Sequence, residues 1–368
     1  MSQLDQIPVL VVALRQALIG ALELGLVGDR ELGPRERDSA AAALVNLAVR
    51  GHLLWRALLS AAPGLDKIGS LNRISVARNP RDGWSVPWAA LYDRPVNVQA
   101  SLCALFETEL LAGRDLLDEP AQCHARSECP LRRGDRGNLT LCPFGFWGLR
   151  REIEQSDSVE SSTTPRELRT RVVDRDSKQI RLAFISWPFA SKERHLAELK
   201  ERPMAVTEAP NPETALQVLA KGDEDVLYFF CHGGVDKNGM FSLFVGPSKA
   251  MDEKSQIAPY FLRGESRANA PLVFLNGCDT MGPAALASFV RTLRHMGAAA
   301  VIGTEIPVDT ALARRVAQLV LDGMLAGQTL GRAFLNMRKA MLRRLSPLGL
   351  AYAFDGPAEL VLHSDVKD

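Results

Sequence analysis

The sequence predicts an α/β protein: a mainly parallel sheet with helices on both faces, preceded by a mainly helical N-terminal region. Two observations carry this expectation. From about residue 179, apolar runs of strand length alternate with helical patterns, the order that produces a parallel sheet joined by right-handed crossovers. Before it, residues 7–27 and 35–62 are Ala/Leu-rich, with apolar residues spaced by three and four, as on amphipathic helices.

Taken in order, "RISVARN" reads as a strand after these two helices, and residues 99–117 read as a helix, being rich in Leu, Ala and Glu without an internal proline. A loop-rich segment covers about 118–143, followed by the aromatic patch "CPFGFWGLRREIEQ". "SDSVESSTTP", residues 156–165, is polar, rich in Ser and Thr, and closed by proline, the composition of a linker. The expected organisation is therefore a helical region at 1–155 with a cysteine-containing insert, a linker at 156–178 and an α/β domain at 179–368. Within that domain "IRLAFIS", "MAVTEA", "VLYFF", "PLVFLN" and "AAAVIGT" are strands, "PETALQVLAKG" and "GPAALASFVRTLRHMG" are helices, and two long helical patterns follow Val308. No repeat of fixed period is visible.

Composition narrows the function classes. The chain has 368 residues, 46% hydrophobic, enough to bury a large core. Its 44 basic and 43 acidic residues leave a net charge of +1, so no global field favours nucleic acid or an anionic membrane. Six cysteines do not form a secreted disulfide scaffold. The apolar run at 7–28 is interrupted by Arg15, Gln16 and Glu23 and preceded by Asp5, which predicts a buried or partner-facing helix rather than an anchor or signal peptide. A cytoplasmic, reducing location is expected. No Gly-rich phosphate loop is present, which disfavours nucleotide hydrolysis, and no cofactor is expected.

The residues that carry chemistry are His232 and Cys278, each just past an apolar, strand-like run: "VLYFFCHGG" and "APLVFLNGCDT". In an open α/β sheet reactive groups collect at the carboxyl ends of strands, so adjacent parallel strands would present both side chains to one crevice. A thiol attacks poorly until deprotonated, and a neighbouring imidazole takes that proton and returns it to the leaving amine. Cys278 is the expected nucleophile and His232 the base, with the backbone amides of Gly233 and Cys278 as oxyanion donors. The flanking Gly233, Gly234 and Gly277 allow close backbone approach. Two bland readings stand beside this one: both residues merely cap strands, or Cys231 is the nucleophile. Strand alternation points Cys231 to the opposite face from His232, into the core.

These motifs, in their order and spacing, resemble the CHAT domain, a caspase-like member of the clan of separases, metacaspases, clostripain and gingipains. The resemblance runs through "VLYFFCHGG", "PLVFLNGCDT", "MGAAAVIGT", "IPVDTALARRVAQLVLDGMLAGQTLGRAFLNMRKAML" and "PLGLAYAFDGPAELVL", and "ISVARNPRDGWSVPWAALYD" extends it back to about residue 40. It implies a caspase-like sheet and a Cys-His endopeptidase acting on protein substrates, gated by an upstream activating protein or protease, in bacterial defence or programmed death. Relatives that cleave after Arg or Lys often place a carboxylate two residues before the cysteine, where this chain has Asn276. Asp279, Glu305 and Asp309 are then the other candidate contacts for a basic residue before the scissile bond, their alternative role being solvated or helix-capping acids.

Cys123, Cys129 and Cys142, with Cys103 upstream, form a second constellation. Intervals of five and twelve residues are not the close pairs of most structural zinc sites. They argue for free thiols packed near "FGFWG", with a structural zinc clip as the alternative. Trp55, Trp84, Trp88 and Trp147 are expected to pack in the core, and His52, His195, His295 and His363 to be structural or exposed. A non-catalytic scaffold that recruits a partner through residues 1–155 is the competing function.

Overall fold

The computed structural model describes residues 3–28, 30–78, 85–111, 129, 138–157, 172–173, 179–235, 241–246, 249–252, 257, 270–278, 280–282 and 289–362. The chain divides into two compact units, Met1–Ile74 with Val86–Ile153 and Leu335–Ala351, and Ser75–Ser85 with Glu154–Phe334 and Tyr352–Asp368.

In the first unit, helices α1 (Gln3–Glu23) and α2 (Pro34–Ala61) pack side by side. Ile7, Val11, Leu14, Leu18 and Ala21 of α1 are buried, as are Ala40, Leu44, Leu47 and Leu54 of α2, the three-and-four spacing read from the sequence. The turn after α1 is taken by Gly25 at φ 68°, a left-handed conformation that suits glycine, so the helix stops short of the expected residue 27. By length and composition α1 is apolar enough to cross a membrane, with mean hydropathy 1.4 over Gln6–Glu23. Strand β1 (Arg73–Arg78) follows, then the short parallel pair β2 (Ser101–Leu102) and β3 (Thr140–Leu141). The helix expected at 99–117 is observed as α3 (Ala104–Leu111), with residues 99–103 in a turn and β2 and residues 112–117 outside those described. The tryptophans pack together: Trp147 lies 5.1 Å from Trp55 and 6.2 Å from Trp88, centroid to centroid. The Arg151 guanidinium covers Trp147 at 4.6 Å, and burial pulls its pKa down to about 10. Trp84 lies outside the described residues.

Strands β4 (Glu152–Asp157), β5 (Val172–Val173), β6 (Ile180–Ser186), β7 (Met204–Ala209) and β8 (Val226–Phe230) come next. They are followed by β9 (His232–Val235), β10 (Phe241–Val245), β11 (Lys249–Asp252), β12 (Leu272–Asn276), β13 (Ala300–Thr304), β14 (Tyr352–Asp355) and β15 (Val361–Leu362). The main sheet has eight strands in the order β1-β4-β14-β13-β12-β8-β6-β7. From β7 to β13 every pairing is parallel, and β14 runs antiparallel to β13. The protein is thus a mixed α/β chain with a mainly parallel sheet and a helical N-terminal region, as expected.

Among the described residues, the helices of the second unit are α4 (Lys192–Lys200), α5 (Pro212–Lys221), α6 (Arg291–His295) and α7 (Thr310–Leu325); α8 (Leu330–Leu342) follows them in the chain. Helix α5 shows why these boundaries fall where they do. Asn211 accepts from the Thr214 amide at 3.0 Å, Pro212 opens the first turn, and Gly222 at φ 67° closes the last. Strand alternation then sends side chains to two faces. Leu227, Phe229 and Cys231 join Ala215 and Leu219 of α5 and Leu293 of α6 in one core. On the other face, Tyr228 and Phe230 meet His195 of α4, and Asn276 reaches Ala313 of α7. With helices on both faces, the central strands are continuous apolar runs rather than alternating ones.

Candidate active site

Four neighbouring strands, β6, β8, β12 and β13, run in one direction, so their carboxyl ends lie along one edge of the sheet. The pairing of β8 with β12 continues as far as Phe230 opposite Asn276. His232 and Cys278 each stand two residues beyond that last pair. The adjacency expected from sequence is the observed topology.

The two exits touch through their backbones. A Cβ added to Gly277 would lie 2.7 Å from the Cys231 carbonyl oxygen and 3.2 Å from the Gly233 nitrogen, and one added to Gly233 would lie 2.6 Å from the Cys278 carbonyl oxygen. Only glycine permits this approach. It brings the Gly233 and Cys278 backbones, the expected oxyanion donors, to the same place. Beyond His232 the chain turns into a separate three-stranded antiparallel sheet in the order β11-β10-β9, in which His232 pairs with Phe244 and Gly233 with Leu243.

His232 is exposed and Cys278 half-buried. The imidazole lies edge-on to two aromatic rings from the β6 exit, Phe189 at 4.7 Å and Trp187 at 5.4 Å between centroids. The Trp187 amide donates to the Phe230 carbonyl at 2.9 Å, fastening that exit to the one bearing the histidine. On the other side the Cys278 thiol lies 3.7 Å from the Val308 carbonyl, in the segment leaving β13. Cys231 is 2% exposed and sits in the core with its thiol pKa pushed well up, chiefly by burial. It is neither accessible nor readily ionised, as a nucleophile must be.

The expected substrate contacts separate. Asn276 is 2% exposed and lies beneath the site. Its amide nitrogen donates to the Tyr228 hydroxyl at 2.9 Å and the Ala313 carbonyl at 2.6 Å, and its oxygen accepts from the Tyr352 hydroxyl at 2.8 Å. Both amide hydrogens are committed, so this arrangement leaves no donor for a substrate. The Tyr228 hydroxyl also shares a hydrogen bond with His195 Nε2, 2.8 Å away. Asp309 is exposed and caps α7, accepting from the Leu312 amide at 2.7 Å, the capping role weighed against substrate binding. Glu305 is buried at the end of β13 with 1% exposure. Asp279 lies outside the described residues.

Sequence reading missed three features: the Trp187/Phe189 brace, the Asn276–Tyr228–Tyr352 network and a pair of threonines. Thr304 Oγ1 donates to the Gly277 carbonyl at 2.7 Å, Thr280 Oγ1 donates to the Leu275 carbonyl at 2.9 Å, and the Thr304 amide donates to Thr280 Oγ1 at 2.9 Å. The aromatic brace had a signal, since "SWPF" leaves a predicted strand at the same sheet edge as the histidine. The polar contacts join residues far apart in the chain and had none.

The cysteine constellation lies elsewhere. Cys103, Cys129 and Cys142 are buried and reduced, and burial raises the Cys103 thiol pKa. The Cys142 amide and carbonyl both bond the Tyr92 hydroxyl at 3.1 Å. Cys123 lies outside the described residues. Among the described residues no group of three or more His, Cys, Asp or Glu side chains is arranged to hold a metal.

Comparison with known proteins adds the family. A Vitiosangium sp. (strain GDMCC 1.1324) protein named as a probable protease is 31% identical over 288 residues, 73% of this chain and 36% of the relative. The chain thus spans about a third of that relative's length. A solved complex of the Porphyromonas gingivalis RgpB pro- and mature domains aligns with 58% of this chain and 56% of its own at 12% identity, with a TM-score of 0.40. The family model described as "CHAT domain" matches residues 49–348, a span that includes the exits of β6, β8, β12 and β13, and the chain belongs to the CHAT domain family.

Proposed function

We propose that this chain is a cysteine endopeptidase with Cys278 as nucleophile and His232 as general base and acid. The observation that carries the reading is the juxtaposition of the β8 and β12 exits, His232 and Cys278 following adjacent parallel strands at the same offset with glycine backbones in contact. The kinship with a relative named as a probable protease supports it.

In this mechanism His232 takes the thiol proton and the sulfur adds to the peptide carbonyl carbon. Negative charge develops on the carbonyl oxygen, where the amides of Gly233 and Cys278 receive it. Collapse expels the amine, which leaves with the proton held by His232, and water activated by the same imidazole hydrolyses the thioester. Trp187 and Phe189 restrict the ring's orientation by edge-on contact.

A preference for a basic residue before the scissile bond belongs to this reading, with Asp279 and the exposed Asp309 as its carriers rather than the buried Asn276 and Glu305. So do the cytoplasmic setting, the upstream activator and the role in bacterial defence or programmed death implied by the resemblance to CHAT peptidases.

The test is cleavage of a peptide library and of proteins encoded by neighbouring genes, with Cys278→Ala as control, alongside labelling by iodoacetamide. Products that vanish in Cys278→Ala, and Cys278 labelling that falls at least tenfold in His232→Ala, are the expected results. Absence of any product, with all cysteines labelled alike and no dependence on His232, overturns the assignment and supports a scaffold.

A further inference from the structure

We infer that Thr304 is a positioning residue of the active site: its side-chain hydroxyl aims the backbone amide of Cys278. The inference rests on the endopeptidase reading and deepens it.

The argument begins with one peptide unit. The carbonyl of Gly277 and the amide of Cys278 belong to the same planar trans group, in which C=O and N–H point in opposite directions. Whatever fixes the carbonyl therefore fixes the amide. Glycine at 277 offers no side chain for packing to hold, and the residue lies beyond the last ladder pair of β12 with β8. The turn needs another anchor, which Thr304 Oγ1 supplies by donating to the Gly277 carbonyl at 2.7 Å from the end of β13.

The anchor is itself held. Thr304 has no exposed surface, its amide donates to Thr280 Oγ1 at 2.9 Å, and its carbonyl accepts from the Met281 amide at 2.8 Å. Thr280, equally buried, returns its hydroxyl to the Leu275 carbonyl at 2.9 Å. The turn carrying Cys278 is thus clasped to β13 both before and after the cysteine. With its carbonyl partner directed toward β13, the Cys278 N–H faces away from β13, on the side where the Gly233 backbone approaches. A carbonyl that accepts a strong hydrogen bond also polarises its own amide, making it a better donor. Both effects act on developing negative charge rather than on the ground-state thiol.

That distinction gives the test. In Thr304→Val and Thr304→Ala the turn loses its hydroxyl donor. We expect kcat on the peptide substrate to fall about tenfold or more, below the 10²–10³ typical for outright loss of an oxyanion donor, with KM changed less than about twofold. A peptide aldehyde of the same sequence, whose adduct places an oxyanion at this position, should bind correspondingly more weakly. Alkylation of Cys278 by iodoacetamide, which forms no oxyanion, should keep its wild-type rate. Thr304→Ser should restore both kcat and aldehyde affinity. Thr280→Val removes the acceptor of the Thr304 amide but leaves the Thr304–Gly277 bond itself, so it should lower kcat in the same direction by a smaller factor.

A Thr304→Val or Thr304→Ala protein that is folded by circular dichroism and keeps wild-type kcat and aldehyde affinity refutes the inference while leaving the endopeptidase intact. A wild-type protein with neither peptide hydrolysis nor His232-dependent alkylation fails at the earlier step and removes both.

Discussion

Replacing Gly277 by alanine probes the contact on which the site depends. Neither Gly277 nor Gly233 adopts a positive φ, so the backbone tolerates alanine at each and the cost is steric. At Gly277 the new methyl carbon would stand 2.7 Å from the Cys231 oxygen, 3.2 Å from the Gly233 nitrogen and 3.5 Å from the His232 carbonyl carbon. The first of these is well inside van der Waals contact, and its partner is backbone rather than a flexible side-chain tip. Relief requires the β8 and β12 exits to part by roughly half an ångström or more, an overpacking strain of about 1–3 kcal/mol. The same displacement separates imidazole from thiol, and misplacement of about 1 Å costs about 10²-fold in rate. Gly233→Ala drives a methyl to 2.6 Å from the Cys278 oxygen and 2.8 Å from the Phe241 ring, straining the same joint from the other side. Once one substitution has parted the exits, the second meets less resistance. The double variant should therefore be more stable than the sum of the single losses predicts, by about 0.5 kcal/mol or more. Urea unfolding of the four proteins gives the coupling, and kcat on a cleaved peptide gives the catalytic loss. Additive stabilities together with wild-type turnover in Gly277→Ala would falsify the claim that these exits are in contact.

Two further outcomes follow from the buried polar groups. His195 is fully buried and its pKa is pulled down to about 3, first by burial and then by Arg314 and Arg202; the carboxylate of Glu198, 3.7 Å from Nδ1, does not offset this. With an unfolded value near 6.5, the unfolded chain binds more protons than the native one between about pH 6.5 and 3. Stability from this group is complete above that window and drains away as pH falls through it. Lowering pH from 7.5 to 5 should cost about 2 kcal/mol in wild type and clearly less in His195→Gln, with equal losses in the two proteins counting against the assignment. Asn276→Asp removes both donors and sets an acceptor against the Ala313 carbonyl now bonded at 2.6 Å. A loss of about 3 kcal/mol is expected from buried groups left unsatisfied, read as a lowered melting temperature; a variant that melts like wild type and cleaves more strongly after Arg or Lys would place residue 276 in the specificity pocket.

How much could be read in advance differs from element to element for physical reasons. The strands Ile180–Ser186 and Val226–Phe230 fall where the apolar runs "IRLAFIS" and "VLYFF" predict them, because the interior of a sheet covered on both faces accepts only such runs; Met204–Ala209, read from "MAVTEA", lies at the sheet edge and is only partly buried. The adjacency of the strands that precede His232 and Cys278 was legible for a related reason: parallel strands that follow one another in an α/β unit commonly pair. The small sheet of β9, β10 and β11 was not anticipated, since "HGGV" and "KAMD" have little strand propensity and are held by ladder partners rather than by their own composition. Asn276 drew attention through its place before the cysteine, but nothing local told that Tyr228, Tyr352 and Ala313, 48, 76 and 37 positions away, would claim its amide. The hydroxyl of Thr304 was invisible likewise, its partner lying 27 positions earlier.

The proposed catalytic pair and the segment beside it hang from different strands. His232 and Cys278 leave β8 and β12, whereas residues 305–309 leave β13 and reach the thiol through the carbonyl of Val308. Under the proposed function, recognition and reactivity are then separable inheritances: the short connector between β13 and α7 can be rewritten, one residue at a time, under selection for a new target, while the two strand exits next door are copied unchanged.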